Sequence, residues 1–325
     1  MKIAINGFGR IGRMTLRALQ QHPEIEVVAI NDLTDVDTLA HLLKYDTAHG
    51  RFPGDVRSKG ETLMVNGKSI VMFKEKDPAK LPWATLGIDA VIESTGRFTD
   101  KASAQAHITA GAKKVLITAP ATGGVKTIVQ GVNNELIGDD QIYSTASCTT
   151  GSIAPVLYAL DKEFGIESGY MVTVHAFTAD QNLQDAPHKD LRRARSAPYS
   201  IIPTTTGAAK AIGNVLPNLQ GKMDGYSYRV PVIDGSIVDL SINLQKEVTA
   251  SEINETLKRY ADTTFKGIME YTEEELVSSD ILGNTHSSIV DGGMTKAMGK
   301  LIKVVAWYDN EVGISNRIAE LISQI

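Results

Sequence analysis

The chain starts on a short β-type run, residues 2–6, that breaks into Gly7-x-Gly9-x-x-Gly12 and passes directly into a helical pattern reaching residue 22. A second β-type run follows at 25–32 and ends on Asp32, twenty residues after Gly12. Few folds accept this order. A strand that turns on glycine into a helix, followed by a strand ending in an acid, is the fingerprint of a dinucleotide-binding βαβ unit. Gly7 permits the tight turn, Gly9 lets backbone N–H groups approach a pyrophosphate, and Gly12 allows close helix–strand packing. The helix N-terminus favours the anion. Asp32 would accept hydrogen bonds from the adenosine ribose, and its charge would repel a 2′-phosphate, so NAD is preferred to NADP. The alternative is a plain strand–helix turn, with Asp32 only capping the helical pattern that follows.

Alternation of β-type and helical segments continues through the first half, which predicts a parallel sheet. It is interrupted at 62–73, where Asn66-Gly67 between two alternating runs signals a hairpin. Past residue 147 the texture changes. One helical segment at about 150–163 precedes long β-rich runs at 170–178, 225–232, 236–246 and 301–308. The fold class expected is therefore α/β. A Rossmann-type NAD-binding domain over 1–147 is joined to an α+β catalytic domain over 148–310, whose sheet is mixed or antiparallel. A last amphipathic helix, within 311–325, could pack on either domain.

At 325 residues the chain is long for a single core, which favours two domains. With 33 Lys+Arg against 38 Asp+Glu, the net charge of −5 offers no footprint for nucleic acid or an anionic membrane, so small molecules are the expected partners. No signal-like apolar stretch starts the chain, and no run of about 18 apolar residues could span a bilayer. A cytoplasmic protein is expected. One cysteine, Cys148, excludes an intrachain disulfide, and no Cys/His spacing suits a metal.

Cys148 stands where a β-type run hands over to a helix, in Ser147-Cys148-Thr149-Thr150. Unpaired N–H groups and the helix dipole stabilise a thiolate there. The bland reading is a small buried hydrophobe, and the polar neighbours argue against it. His175, in the run 170–178, is a packing residue or, beside a thiol, a base. Arg192, Arg193 and Arg195 in a polar segment and Arg229 within a β-type run suggest an anion site, against solvated or intersubunit ion pairs. The hydroxyl-rich stretch 204–207 ahead of a helix is another anion-friendly terminus.

Taken together, these residues resemble the phosphorylating glyceraldehyde-3-phosphate dehydrogenase family. Ordered motifs carry the resemblance along the whole chain: INGFGRIGR, NDLTD, HLLKYD, ESTGRF, SCTT, HKDLRRAR, TGAAKAIG, RVPV and WYDNEVG. It implies that Cys148 is the nucleophile and that His175 activates it. Substrate and inorganic phosphate would lie among Ser147, Thr149, Thr178, Arg195, Thr206, Gly207 and Arg229. On the cofactor side, the resemblance assigns the Arg10-Ile11 turn to the pyrophosphate, Asp32 to the ribose, Thr95-Gly96 to the adenosine side and Asn310 to the nicotinamide amide. It further implies a homotetramer, with the loop at about 178–200 near a neighbouring subunit's cofactor and the C-terminal helix returned to the first domain. Thr145, Gly151 and Ile314 depart from the usual residues of the family, Asn, Asn and Tyr. The implied reaction oxidises glyceraldehyde 3-phosphate through a cysteine thioester to 1,3-bisphosphoglycerate. An erythrose-4-phosphate dehydrogenase, an acyl-phosphate-reducing semialdehyde dehydrogenase or a non-catalytic NAD-binding interaction protein are the rival readings.

Overall fold

A computed structural model describes residues 1–325. Nine strands form the first sheet: β1 (Lys2–Asn6), β2 (Glu26–Asn31), β3 (Val56–Lys59), β4 (Thr62–Val65), β5 (Lys68–Phe73), β6 (Ala90–Glu93), β7 (Lys114–Ile117), β8 (Lys126–Thr127) and β9 (Ile142–Ser144). Their order is β3-β4-β5-β2-β1-β6-β7-β9-β8. Every pair from β5–β2 across to β9–β8 is parallel, and the pairs β3–β4 and β4–β5 are antiparallel. The central strands are apolar on both faces. Ile3, Ile5, Ile30, Val91, Ile92 and Leu116 have no exposed surface, as a sheet covered by helices on both sides requires.

Helices α1 (Arg10–Leu19), α2 (Val36–Lys44), α3 (Trp83–Leu86) and α4 (Lys101–Thr109) supply that cover. The first sheet's hairpin turns on Asn66 and Gly67 with φ of 50° and 80°, two consecutive left-handed residues that match the right-handed twist of β4 and β5. Asp35 caps α2 by accepting from Thr38 N at 2.8 Å.

The second sheet has seven strands: β10 (Ile166–Ala176), β11 (Ile202–Thr205), β12 (Met223–Val230), β13 (Ser236–Leu244), β14 (Met269–Thr272), β15 (Ser288–Met298) and β16 (Leu301–Tyr308). They order as β11-β12-β10-β13-β16-β15-β14, with β10–β12 and β14–β15 parallel and the other pairs antiparallel. Along β13, Ser236, Val238, Leu240, Ile242 and Leu244 are buried and the residues between them are not, so one face carries the core. Helix α5 (Cys148–Phe164) packs there against β13, β15 and β16 and against α6 (Ala208–Val215) and α7 (Ala250–Asp262). Its Ile153, Val156, Leu157 and Leu160 are fully buried, the helical spacing read from the sequence. Helix α8 (Val312–Leu321) ends the chain.

The chain divides into two compact units, 1–128 with 134–146 and 315–325, and 129–133 with 147–314. Residues 129–133, Ser147 and 311–314 thus cluster with the second unit, where the sequence boundaries put them in the first. Strand β10 begins at Ile166, four residues before the apolar run that announced it, because Glu167 and Ser168 interrupt the pattern while the backbone continues to pair with β13. No helix is long and apolar enough to cross a membrane.

Candidate active site

In the second unit, Ser147 is the N-cap of α5 and its Oγ accepts from Thr150 N at 3.1 Å. Cys148 is therefore the first helical residue, where the dipole favours negative charge. The residue before the cap, Ala146, holds φ at 64°, a left-handed conformation uncommon for a side-chain-bearing residue and typical of strained functional turns. The parallel register of β10 and β12 sets His175 opposite Arg229. Cys148 Sγ lies 3.5 Å from His175 Nε2.

His175 Nδ1 is 2.7 Å from Ala176 O, and Arg229 Nη1 also donates to that carbonyl at 2.9 Å. Nδ1 thus meets a carbonyl that can only accept and a guanidinium that can only donate; in the tautomer that gives its Nδ1 proton to Ala176 O, the lone pair of Nε2 faces the sulfur. Arg229 Nη1 also stands 2.6 Å from Nδ1, which disfavours a second proton on the ring. Burial, then Arg229, drives the His175 pKa down to about 3. Burial pushes the Cys148 thiol up, opposed by Arg229 and by hydrogen bonds from the Thr149 side chain and N–H. Arg229 is itself largely buried, its pKa lowered by that burial, and its Nε has no hydrogen-bond partner. A guanidinium with an unused N–H can donate to an anion.

Thr178 N and Oγ1 are held by Gln181 Oε1 at 3.0 and 3.3 Å. Thr206 Oγ1 accepts from Ala208 N at 3.2 Å, and Gly207 is the N-cap of α6. Asn310 is buried, and its Oδ1 accepts from Ser236 Oγ at 2.6 Å. Two expectations need correction. The Thr149 hydroxyl is not presented outward: it is buried 2.9 Å from Tyr308 OH, which also meets Thr173 Oγ1 at 2.8 Å. Arg195 does not join the cluster either. Its side chain is 66% exposed and bonded to Asp185, whereas Arg193 is 20% exposed, donates to Thr204 Oγ1 at 2.8 Å and to Asp180, and its charge is felt at Arg229. The three-residue spacing of Arg192, Arg193 and Arg195 lies in a loop, so no helical or strand period picks the inward one.

In the first unit, a cavity of about 310 Å3 is lined by Gly7, Gly9, Asp32 and Thr95, together with Asn6, Asn31, Glu75 and Phe98. Asp32 Oδ2 accepts from Phe8 N at 2.7 Å and Oδ1 from Thr34 N at 2.9 Å, which fixes the carboxylate at the cavity wall. A Cβ added to Gly9 would meet nothing within 4 Å, so the turn leaves open space for a ligand's approach. Gly12 packs against Gly7 O, beneath the turn. Arg10, Ile11, Gly12 and Gly96 do not line the cavity, and the Arg10 guanidinium is tied to Asp46. The size, the glycine turn at a helix start and the acid suit a dinucleotide's adenosine half.

Residues 1–101 match the family model described as glyceraldehyde 3-phosphate dehydrogenase, NAD binding domain, and residues 147–310 match the one for the C-terminal domain. The chain belongs to the glyceraldehyde 3-phosphate dehydrogenase family. Similar curated proteins include the glyceraldehyde-3-phosphate dehydrogenase of Geobacillus stearothermophilus, 53% identical over all of this chain and 98% of that protein. Those of Mycobacterium avium, 53% identical with the same coverage, and Kitasatospora aureofaciens, 54% identical over 98% of this chain and 97% of its own, are similar too. The first unit carries the NAD-binding domain of the dehydrogenase family, and NAD is its cofactor. At the positions where the chain departs from the dehydrogenase pattern, Gly151 leaves open space for a side chain, Ile314 is buried, and Thr145 is buried with its Oγ1 unpartnered.

Four residues of this site escaped the sequence reading. Ala146 and Gln181 carry no type-specific signal. Tyr308 lies within the WYDNEVG motif and Thr173 alternates with His175 on β10, so a two-residue strand period would have placed Thr173 on the same face.

Proposed function

We propose that the protein is the glycolytic, NAD-dependent, phosphorylating glyceraldehyde-3-phosphate dehydrogenase. The observation that carries this reading is the contact of Cys148 Sγ with His175 Nε2 at 3.5 Å, beside the buried Arg229 with its unpartnered Nε. His175 Nε2 takes the thiol proton as sulfur adds to the aldehyde carbon and passes it to the former carbonyl oxygen, which becomes the hemithioacetal hydroxyl and leaves the imidazole neutral. The same imidazole then accepts the hemithioacetal hydroxyl proton, while Nδ1–H to Ala176 O keeps the ring in orientation. Bound NAD supplies the two-electron oxidant that converts the hemithioacetal to a thioester. Inorganic phosphate attacks that thioester, which releases the acyl phosphate and returns the thiol.

Arg229, Arg193, Thr178 and the N-terminus of α6 at Thr206 and Gly207 hold the two phosphate groups, with Ser147 at the cap of α5. In the first unit Gly7 and Gly9 admit the pyrophosphate to the start of α1, Asp32 takes the ribose hydroxyls and Thr95 the adenosine side. Asn310, braced by Ser236, takes the nicotinamide amide.

The protein acts in the cytoplasm as a homotetramer. Leu183, Leu191, Tyr199 and Ile201 in one segment of the second unit are each more than two-thirds exposed, an apolar surface that another copy would cover. The test follows NADH formation from glyceraldehyde 3-phosphate with and without inorganic phosphate. Sustained turnover that requires phosphate supports the reading. Turnover indifferent to phosphate, or none with this aldehyde, overturns it.

A further inference from the structure

Below the cavity floor of the first unit lies a buried carboxylate that the reaction does not use. Glu93 ends β6 and is 1% exposed. Its Oε1 accepts from Thr95 N at 2.8 Å and Thr95 Oγ1 at 2.5 Å. Its Oε2 accepts from Asn6 Nδ2 at 2.5 Å and His107 Nε2 at 3.0 Å. Four donors converge on its two oxygens.

His107 is fully buried, and its other nitrogen, Nδ1, faces Trp83 Nε1 at 3.1 Å. The indole N–H can only donate, so Nδ1 must accept and the ring proton sits on Nε2, aimed at Glu93. Trp83 thereby selects the His107 tautomer that holds Glu93. From Glu93 the chain runs outward in two directions. Thr95 lines the cavity and, with its own proton given to Glu93, receives Arg97 N at 3.1 Å. Asn6 Oδ1 accepts from Asn31 Nδ2 at 2.7 Å, and Asn31 brackets Glu75 by its backbone N and O at 2.8 and 2.9 Å. Asn6, Asn31, Glu75 and Thr95 are all wall residues of the same cavity.

We propose that Glu93, locked from behind by His107 and Trp83, is a positioning residue that sets the affinity of the cavity for NAD. It touches neither cofactor nor substrate. It acts by fixing, through Thr95 and Asn6, the polar groups that do. The inference rests on the reading of this cavity as the NAD site.

Glu93→Gln keeps the shape but replaces one acceptor oxygen by an NH2 that faces donors, so two of the four bonds cannot form. Titration of NAD into the full-length protein, read by calorimetry, and steady-state kinetics give the test. The Kd and KM for NAD should rise about tenfold or more, while kcat at saturating NAD and the KM for the aldehyde stay within about threefold. Trp83→Phe removes only the indole N–H and should raise the NAD Kd about two- to fivefold, which keeps the test open should Glu93→Gln fail to fold. A wild-type chain that does not bind NAD refutes the cavity reading and the inference with it. A wild-type chain that binds NAD, with a folded Glu93→Gln or Trp83→Phe protein of unchanged Kd, overturns the inference alone. So does a Glu93→Gln protein whose kcat falls in step with its affinity.

Discussion

A methyl group on Gly12 would run into the backbone of the turn above it. Its Cβ would overlap Gly7 O and lie 3.3 Å from Gly7 C and 3.2 Å from Ser94 Oγ. Gly7 cannot retreat, because its own α-carbon already faces Ser94 and Thr95: a Cβ built there would stand 2.7 Å from Thr95 N. To restore ordinary contact the Gly7 carbonyl must move by roughly 1 Å, and overpacking of this kind costs about 1–3 kcal/mol. For a unit of this size that corresponds to a fall in Tm of about 2–12 °C. Because the shifted carbonyl belongs to the glycine turn at the cavity wall that we propose admits the pyrophosphate, Gly12→Ala should also weaken NAD binding.

Gly9→Ala is the matched control. Gly9 has φ −72° and ψ −158°, an extended conformation open to alanine, and open space where its Cβ would go. Its Tm should stay within a few degrees of wild type, since a Gly→Ala change at this cap costs about 1 kcal/mol or less, while NAD affinity falls tenfold or more as the methyl blocks the ligand's approach. Differential scanning calorimetry and NAD titration of the two variants separate packing from access. A Gly12→Ala protein with wild-type Tm, or a Gly9→Ala protein with wild-type NAD affinity, would refute the reasoning.

Arg193→Leu should raise the KM for inorganic phosphate or aldehyde by about tenfold or more, as loss of a charge-assisted contact does, whereas Arg195→Leu should change neither by more than about threefold, since its exposed pair with Asp185 contributes little; equal effects in steady-state assays would count against the placement. Stability should depend on pH through His175. Its folded pKa of about 3 lies below the unfolded value of about 6.5. The unfolded chain therefore takes up a proton first: the stabilisation is complete above pH 6.5 and is lost as pH falls toward 3. Between pH 7 and 5 this group's share is about 2 kcal/mol, so in urea unfolding His175→Asn should lose that much less than wild type, and parallel losses would contradict the assignment. Cys148→Ser should abolish turnover and leave NAD binding within about twofold, because serine keeps the shape of the side chain but not its thiolate; retained activity would remove the sulfur from the chemistry.

Local chemistry that repeats with a period was readable in the sequence. Asn66-Gly67 demanded a left-handed pair and forms one. The apolar positions of α5 placed Cys148 at a helix start, and the glycine turn with Asp32 lined the cavity they pointed to. One local signal went unread: Thr249 and Glu252 form a capping box that starts α7, with Thr249 N donating to Glu252 Oε2 at 2.7 Å. Other features have no local signature. Arg193 and Arg195 are chemically equal in sequence, and a loop's turns decide which one faces Arg229. The burial of the Thr149 hydroxyl on Tyr308 depends on β16 lying under α5, a contact between residues far apart in the chain. Glu93, His107 and Trp83 each look ordinary alone, and only the stacking of α3 and α4 on the sheet turns them into one relay.

The central claim is that Cys148 carries the substrate as a thioester. Mixing the protein with NAD and glyceraldehyde 3-phosphate in the absence of inorganic phosphate, quenching in acid and measuring the mass of the Cys148 peptide tests it directly. The account predicts a peptide heavier by the phosphoglyceryl group, which disappears when phosphate is added before the quench. An unmodified Cys148 peptide accompanied by a stoichiometric burst of NADH, or the adduct on another residue, would contradict it.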